Sequence, residues 1–246
     1  VAVGFAIVAV AGLVWRSKAR LSPALDTLPA LSQTGTESAV GGVGGKTPLR
    51  TGAVSEHAAA LVTQGNDLLR QGQFEAAAKV YEDAKRLTPE DEDVHYNLGI
   101  AFARLGREDD AVAAYRRALE LFPQYAEAHN NLGILLHRRG DLDATFEHFR
   151  AAIQAVPDYA SAHNNLGNAL RQRGLAAEAA AAFLKAAQID TNYWQARFNL
   201  ANSYASQNRW SDAIAEYEAV LRLQPEFGPA QQALEQARLK QPSSAP

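Results

Sequence analysis

Small and apolar residues recur along this chain at helical spacing, and from Ala58 onward the whole pattern repeats every 34 residues. Five units begin at Ala58, Glu92, Ala126, Ala160 and Trp194. Position seven of each unit is Gln64, Leu98, Leu132, Leu166 or Leu200, and position eleven is Leu68, Phe102, Leu136, Leu170 or Tyr204. Together they make the apolar stripe of a first helix. A second stripe follows at positions twenty, twenty-four and twenty-seven: Ala77, Tyr81, Ala84; Ala111, Tyr115, Ala118; Thr145, Phe149, Ala152; Ala179, Phe183, Ala186; Ala213, Tyr217, Val220. Gly72, Gly106, Gly140, Gly174 and Asn208 separate the stripes, and each can take the left-handed conformation that ends a helix. Pro89, Pro123, Pro157 and Pro225, with Thr191 as the exception, stop the second helix. At position eight Gly65, Gly99, Gly133, Gly167 and Ala201 let the two helices of a hairpin approach closely.

The pattern predicts an all-α chain of five helix-turn-helix units, at 58–91, 92–125, 126–159, 160–193 and 194–227. Each hairpin carries apolar surface on both sides, so only stacking buries it and the last one needs a cover. Residues 228–240 supply that cover as an amphipathic capping helix, with Pro229 at its start and Ala233, Leu234, Ala237 and Leu239 as apolar positions. The final segment, 241–246, reads as a disordered tail.

The first quarter of the chain has a different character. Residues 1–15 carry no charge, and Arg16, Lys18 and Arg20 follow at once, so 1–20 reads as a single-pass membrane anchor with a basic flank. Fifteen residues of helix cover only about 22 Å of a hydrocarbon core of roughly 30 Å, which makes the visible span short. No methionine stands at position 1, which points to a start inside a longer product or at a non-AUG codon. The basic flank places the repeats on the cytoplasmic side by the positive-inside argument. Residues 21–57, with Pro23, Pro29, Pro48 and a glycine cluster, read as a flexible linker. Within it, GGVGGKT at 41–47 imitates a phosphate loop, but Val40 stands where the pattern needs glycine and Pro48 stands where a helix should start.

Charge and composition narrow the function. A net charge of −3 and a pI near 6.1 give no basic face for nucleic acid. The absence of cysteine removes disulfides, cysteine zinc sites and thiol catalysis. His95, His129 and His163 recur once per unit at position four, too far apart to converge on one ion, and are expected to pack between helices rather than hold a metal. No nucleophile with a base and no cofactor fingerprint stands in the chain, so the expectation is a binding protein, not an enzyme, without cofactor or small-molecule substrate.

These residues resemble the tetratricopeptide-repeat (TPR) family, and the resemblance covers residues 58–227. It implies a right-handed solenoid whose first helices line a concave surface, with positions two, five, six, nine, twelve and thirteen facing a ligand. In that register, position six is Asn97, Asn131, Asn165 and Asn199, with Thr63 in the first unit. The segments AHNNLG at 128–133 and 162–167 are similar to the repeats of O-linked N-acetylglucosamine transferases, whose asparagine ladder holds substrate peptides. An amide carries both a donor and an acceptor, so a row of them can pair with an extended peptide backbone. The competing reading is that these asparagines bond helix to helix. Asn168 and Asn202 at position nine widen the polar strip, Tyr96 adds an apolar pocket, and Arg104 and Arg138, with Arg70 and Arg171, add a basic track for an acidic segment or a terminal carboxylate. The expected function is a membrane-tethered scaffold holding a peptide or partner protein in the groove. The alternatives are the substrate-recruiting part of a glycosyltransferase system, or a structural subunit of a larger membrane complex.

Overall fold

The computed structural model describes residues 48–241, with side chains from residue 54. The anchor expected at 1–20 and most of the linker lie outside the described residues, as does 242–246. Eleven helices and no strand make up the described part. They are α1 (Pro48–Arg70), α2 (Phe74–Leu87), α3 (Glu92–Arg104), α4 (Glu108–Leu121), α5 (Ala126–Arg139), α6 (Leu142–Ala155), α7 (Ala160–Gln172), α8 (Ala176–Ile189), α9 (Trp194–Ser206), α10 (Trp210–Leu223) and α11 (Gly228–Lys240). From the second unit onward, every first helix begins at the residue the period predicts. The exception is α1, which begins at Pro48, inside the segment read as linker.

Each hairpin turns in the same way. Gly72, Gly106, Gly140 and Gly174 have φ between 73° and 84°, and Asn208 reaches 58° in the fifth hairpin. The left-handed residue brings the next N–H back onto the last turn: Gln73 N–H donates to Leu68 O, Arg107 to Phe102, Asp141 to Leu136, Leu175 to Leu170 and Arg209 to Tyr204, at 2.9–3.1 Å. These bonds satisfy carbonyls that the helix end leaves without partners. Two side chains also start helices, Asp91 accepting from the N–H groups of Asp93 and Val94 and Asp141 from that of Ala144.

Every residue at positions twenty, twenty-four and twenty-seven is at most 2% exposed. The aromatic ring at position twenty-four fills the space above the glycine at position eight: a Cβ built on Gly99 would stand 2.6 Å from Tyr115 Cδ1, and one on Gly133 2.7 Å from Phe149 Cε1. That contact explains why the position is small. Thr145 departs from the alanine of the other units, yet it is fully buried because its hydroxyl donates to Asp141 O at 2.6 Å. Gln64 stands exposed where later units bury or half-bury leucine, in the hairpin that has no predecessor among the described residues.

The stack is closed by α11, which lays Leu234 and Ala237 against Ala201, Ala213 and Tyr217. Leu239, expected in that apolar set, is 81% exposed instead. The buried face follows Ala230, Leu234 and Ala237, and Leu239 lies off it. No helix among the described residues is long and apolar enough to cross a membrane.

Candidate functional site

The first helices lie side by side, with α1 against α3, α5 against α7 and α7 against α9. On the face they form, the position-six amides are spoken for in a repeating way. Asn165 Nδ2 donates to Asn130 Oδ1 at 2.9 Å, and Asn199 Nδ2 donates to Asn164 Oδ1 at 3.0 Å. Asn131 Nδ2 donates to the Tyr96 hydroxyl at 3.3 Å. Position six of one repeat thus reaches position five of the repeat before it. Asn130, Asn131, Asn164 and Asn165 are all buried, and a buried amide needs a partner. Tyr96 is enclosed with them, 4.7 Å from the Tyr125 ring and 5.9 Å from Tyr115 between centroids.

The ladder has one open rung. At the first junction, position five is Val62, which offers the Asn97 Nδ2 no acceptor, and Asn97 is 6% exposed with an Oδ1 that separately meets no donor. At the other end Phe198 and the Ala233 of α11 close the row with apolar groups packed in the last core cluster.

Position nine answers to the ring at position twenty-four. Tyr81 donates its hydroxyl to Asn66 Oδ1 at 2.5 Å, and Tyr217 donates to Asn202 Oδ1 at 2.6 Å. Burial pushes the Tyr217 phenol up to about 12 and raises Tyr81 and Tyr115 as well. In the second repeat position nine is Ile100, and the Tyr115 hydroxyl turns to Asn131. Phe183 has no hydroxyl, so Asn168 serves no phenol and its Oδ1 accepts from Arg171 Nη2 at 3.1 Å. This coupling of tyrosine with asparagine fifteen residues apart is visible in the sequence once the two positions are read together.

The recurring histidines clasp the repeat junctions. The Nε2 atoms of His95, His129 and His163 lie 2.9–3.0 Å from the carbonyls of Pro89, Pro123 and Pro157. Arg197 Nε donates to Thr191 O and Gln231 Nε2 to Pro225 O in the same place. A donor at position four therefore satisfies the carbonyl at the end of the preceding repeat, whatever its chemistry. Among the described residues no three histidine or acidic side chains converge as a metal site would require.

One histidine has a second contact. His129 Nδ1 lies 2.9 Å from His148 Nδ1 on α6. Burial, then the His129 ring and Arg116, lower the His148 pKa to about 4, with Asp141 opposing. The unfolded imidazole titrates near 6.5, so between these values the unfolded chain binds more protons. Stability is expected to be full above about pH 7 and to fall as pH drops toward 4. Thermal melts at pH 7.5 and 5 check this, and His148→Gln should reduce the difference between them.

The cations are spread along the same face. Arg138 pairs with Glu108 at 2.7 Å, Arg70 with Asp67, and the Arg104 guanidinium lies 5.9 Å from the Phe74 ring centroid. Arg171 is half-buried, and desolvation lowers its pKa.

The comparisons with known proteins agree with this fold. The tetratricopeptide repeat family profile matches residues 62–126, 106–160 and 170–239. No curated protein matches the chain. Among solved structures, pilF of Pseudomonas aeruginosa is similar with a TM-score of 0.68 at 19% identity, covering 76% of this chain and 91% of that one. YrrB, described as a TPR protein with an unusual peptide-binding site, has a TM-score of 0.60 at 20% identity and covers 75% and 97%. MamA of Desulfovibrio magneticus RS-1 has 0.62 at 23% and covers 70% and 97%. At such identities the likeness speaks for the fold alone. With five hairpins in a 34-residue register and a profile match over most of its length, the chain belongs to the tetratricopeptide-repeat family.

Proposed function

We propose that this chain is a protein-interaction scaffold that binds a peptide or partner protein on the face formed by its first helices. Asn97 carries the reading. Its Oδ1 is a buried acceptor without a donor, and such a group costs about 1–3 kcal/mol unless something meets it. A peptide N–H seated on this face supplies that donor once the Asn97 side chain shifts toward it. The ladder of Asn131, Asn165 and Asn199 holds the neighbouring first helices in register, so that Asn97, Asn168, Arg104 and Arg138 face the ligand at fixed spacing, while Asn202 and Tyr96 shape the wall. YrrB offers a parallel, since it carries a peptide-binding site on a similar stack. The repeated AHNNLG segments add support through their similarity to the asparagine ladder of O-linked N-acetylglucosamine transferases, and binding rather than catalysis is the role proposed.

Capture of partners from membranes tests the reading, with wild type beside Asn97→Ala. The variant is expected to keep its helical circular dichroism and lose partners; retention of every partner sinks the proposal. The apolar run at 1–15 with its basic flank supports a membrane tether for the scaffold on the cytoplasmic side. Fractionation and protease accessibility of the intact chain check the tether and its orientation.

A further inference from the structure

The last residue of a unit comes close to position two of that unit. In the second unit this pair is closed, the Tyr125 hydroxyl donating to Asp93 Oδ1 at 2.5 Å. In the third unit the same positions hold Tyr159 and Glu127, and the pair is open. The Tyr159 hydroxyl is buried and meets no partner. Glu127, half-buried, accepts no hydrogen bond and pairs with no cation among the described residues. Its charge is offset by the amide end of α5, in whose first turn it stands. Three phenols share this carboxylate: burial is the main cause that pushes the hydroxyls of Tyr159, Tyr96 and Tyr125 up, and Glu127 adds to the rise in each. The Tyr96 and Tyr125 rings lie 4.7 Å apart between centroids, so aromatic carbon walls the place. A half-buried carboxylate without a counter-ion, an unmet phenol oxygen and aromatic rings are together short of a positively charged donor.

We infer that Glu127, Tyr159 and Tyr96 form a receptor, at the loop edge of the third repeat, for a cationic side chain of the bound partner, a lysine or an arginine. The inference rests on the proposed binding of a peptide by the first helices. The carboxylate pairs with the cation and the Tyr159 oxygen accepts one of its N–H groups, while the tyrosine rings receive the aliphatic stem. A neutral donor would meet the phenol oxygen and leave the carboxylate uncompensated. A bound metal ion does not suit the place, since no three histidine or acidic side chains converge among the described residues. Asp93 cannot share the role, because the Tyr125 hydroxyl already occupies it. Ala59, Ser161 and Gln195 at position two of the remaining units carry no charge. The third unit alone combines a charged position two with an open tyrosine.

The test uses an array of synthetic peptides in matched pairs, lysine against acetyl-lysine and arginine against citrulline, probed with the full chain; each exchange keeps the length of the side chain and removes its charge. Wild type is expected to prefer the charged member of at least one kind of pair about tenfold, the scale of a partly desolvated, charge-assisted contact. Which kind of pair shows it tells lysine from arginine. Glu127→Gln should bring the preference close to unity, and Tyr159→Phe should reduce it about threefold, the scale of one hydrogen bond. Glu147→Gln removes an exposed carboxylate from α6, controls for net charge and should leave the preference intact. Unchanged circular dichroism melts check that the variants fold. Equal binding of both members by wild type, an undiminished preference in Glu127→Gln or Tyr159→Phe, or an equal loss in Glu147→Gln overturns the cation receptor and leaves the peptide-binding reading standing. Binding of no peptide by wild type overturns both.

Discussion

A Gly133→Val variant is expected to lose about 3 kcal/mol, near the upper end of overpacking costs, and to melt roughly 6–12 °C lower. The Phe149 ring occupies the space that a Cβ would take, at 2.7 Å from Cε1 and 2.8 Å from Cδ1. The Phe149 ring is enclosed, at 1% exposure, so relief requires the two helices of the hairpin to part. The fifth repeat sets the limit of tolerance: Ala201 stands there opposite Tyr217 and both are buried. Gly133→Ala should accordingly cost less than valine. Gly140→Ala acts by another route, since φ of 82° is left-handed, and should cost about 1 kcal/mol. Circular dichroism melts of the three variants provide the ranking. If valine melts within a degree or two of wild type, the ring does not set the hairpin spacing.

The second large effect separates Asn165 from Asn97, two residues in the same position of different repeats. Asn165→Ala is expected to destabilise by about 1–3 kcal/mol, because Asn130 Oδ1 loses its donor at 2.9 Å while remaining buried. Asn97→Ala removes an acceptor that has no partner in the free protein, so its stability should stay within about 0.5 kcal/mol of wild type or rise slightly. Urea denaturation gives both numbers, and an Asn130→Ala, Asn165→Ala cycle isolates the pair. Equal losses at Asn97 and Asn165 would refute the distinction between a closed rung and an open one.

That distinction marks how far the sequence could be read. The same letter at position six stood for a ligand contact or for a bond between helices, and spacing alone left both readings open. The structure pairs the Asn165 and Asn199 amides with a neighbouring repeat, so those two serve the stack first. The apolar chemistry of Leu239 predicts a place on the buried side of the capping helix, but the face that meets Tyr217 is defined by Leu234 and Ala237. The helical start at Pro48 was hidden because proline at the first turn and a glycine nearby look alike in a linker and at a helix beginning.

The sequence by itself determined the period, the residues that turn each hairpin and the need for a closing helix. All of these depend on local chemistry: a stripe at helical spacing, a residue that accepts positive φ, a proline that cannot continue a helix. Only the tertiary structure decided which amides are consumed and which remain open, because the partner of position six lies 35 residues away, across the junction between repeats. A residue there is bonded or unmet according to its neighbour in space, and at the first junction Val62 offers the Asn97 Nδ2 no acceptor.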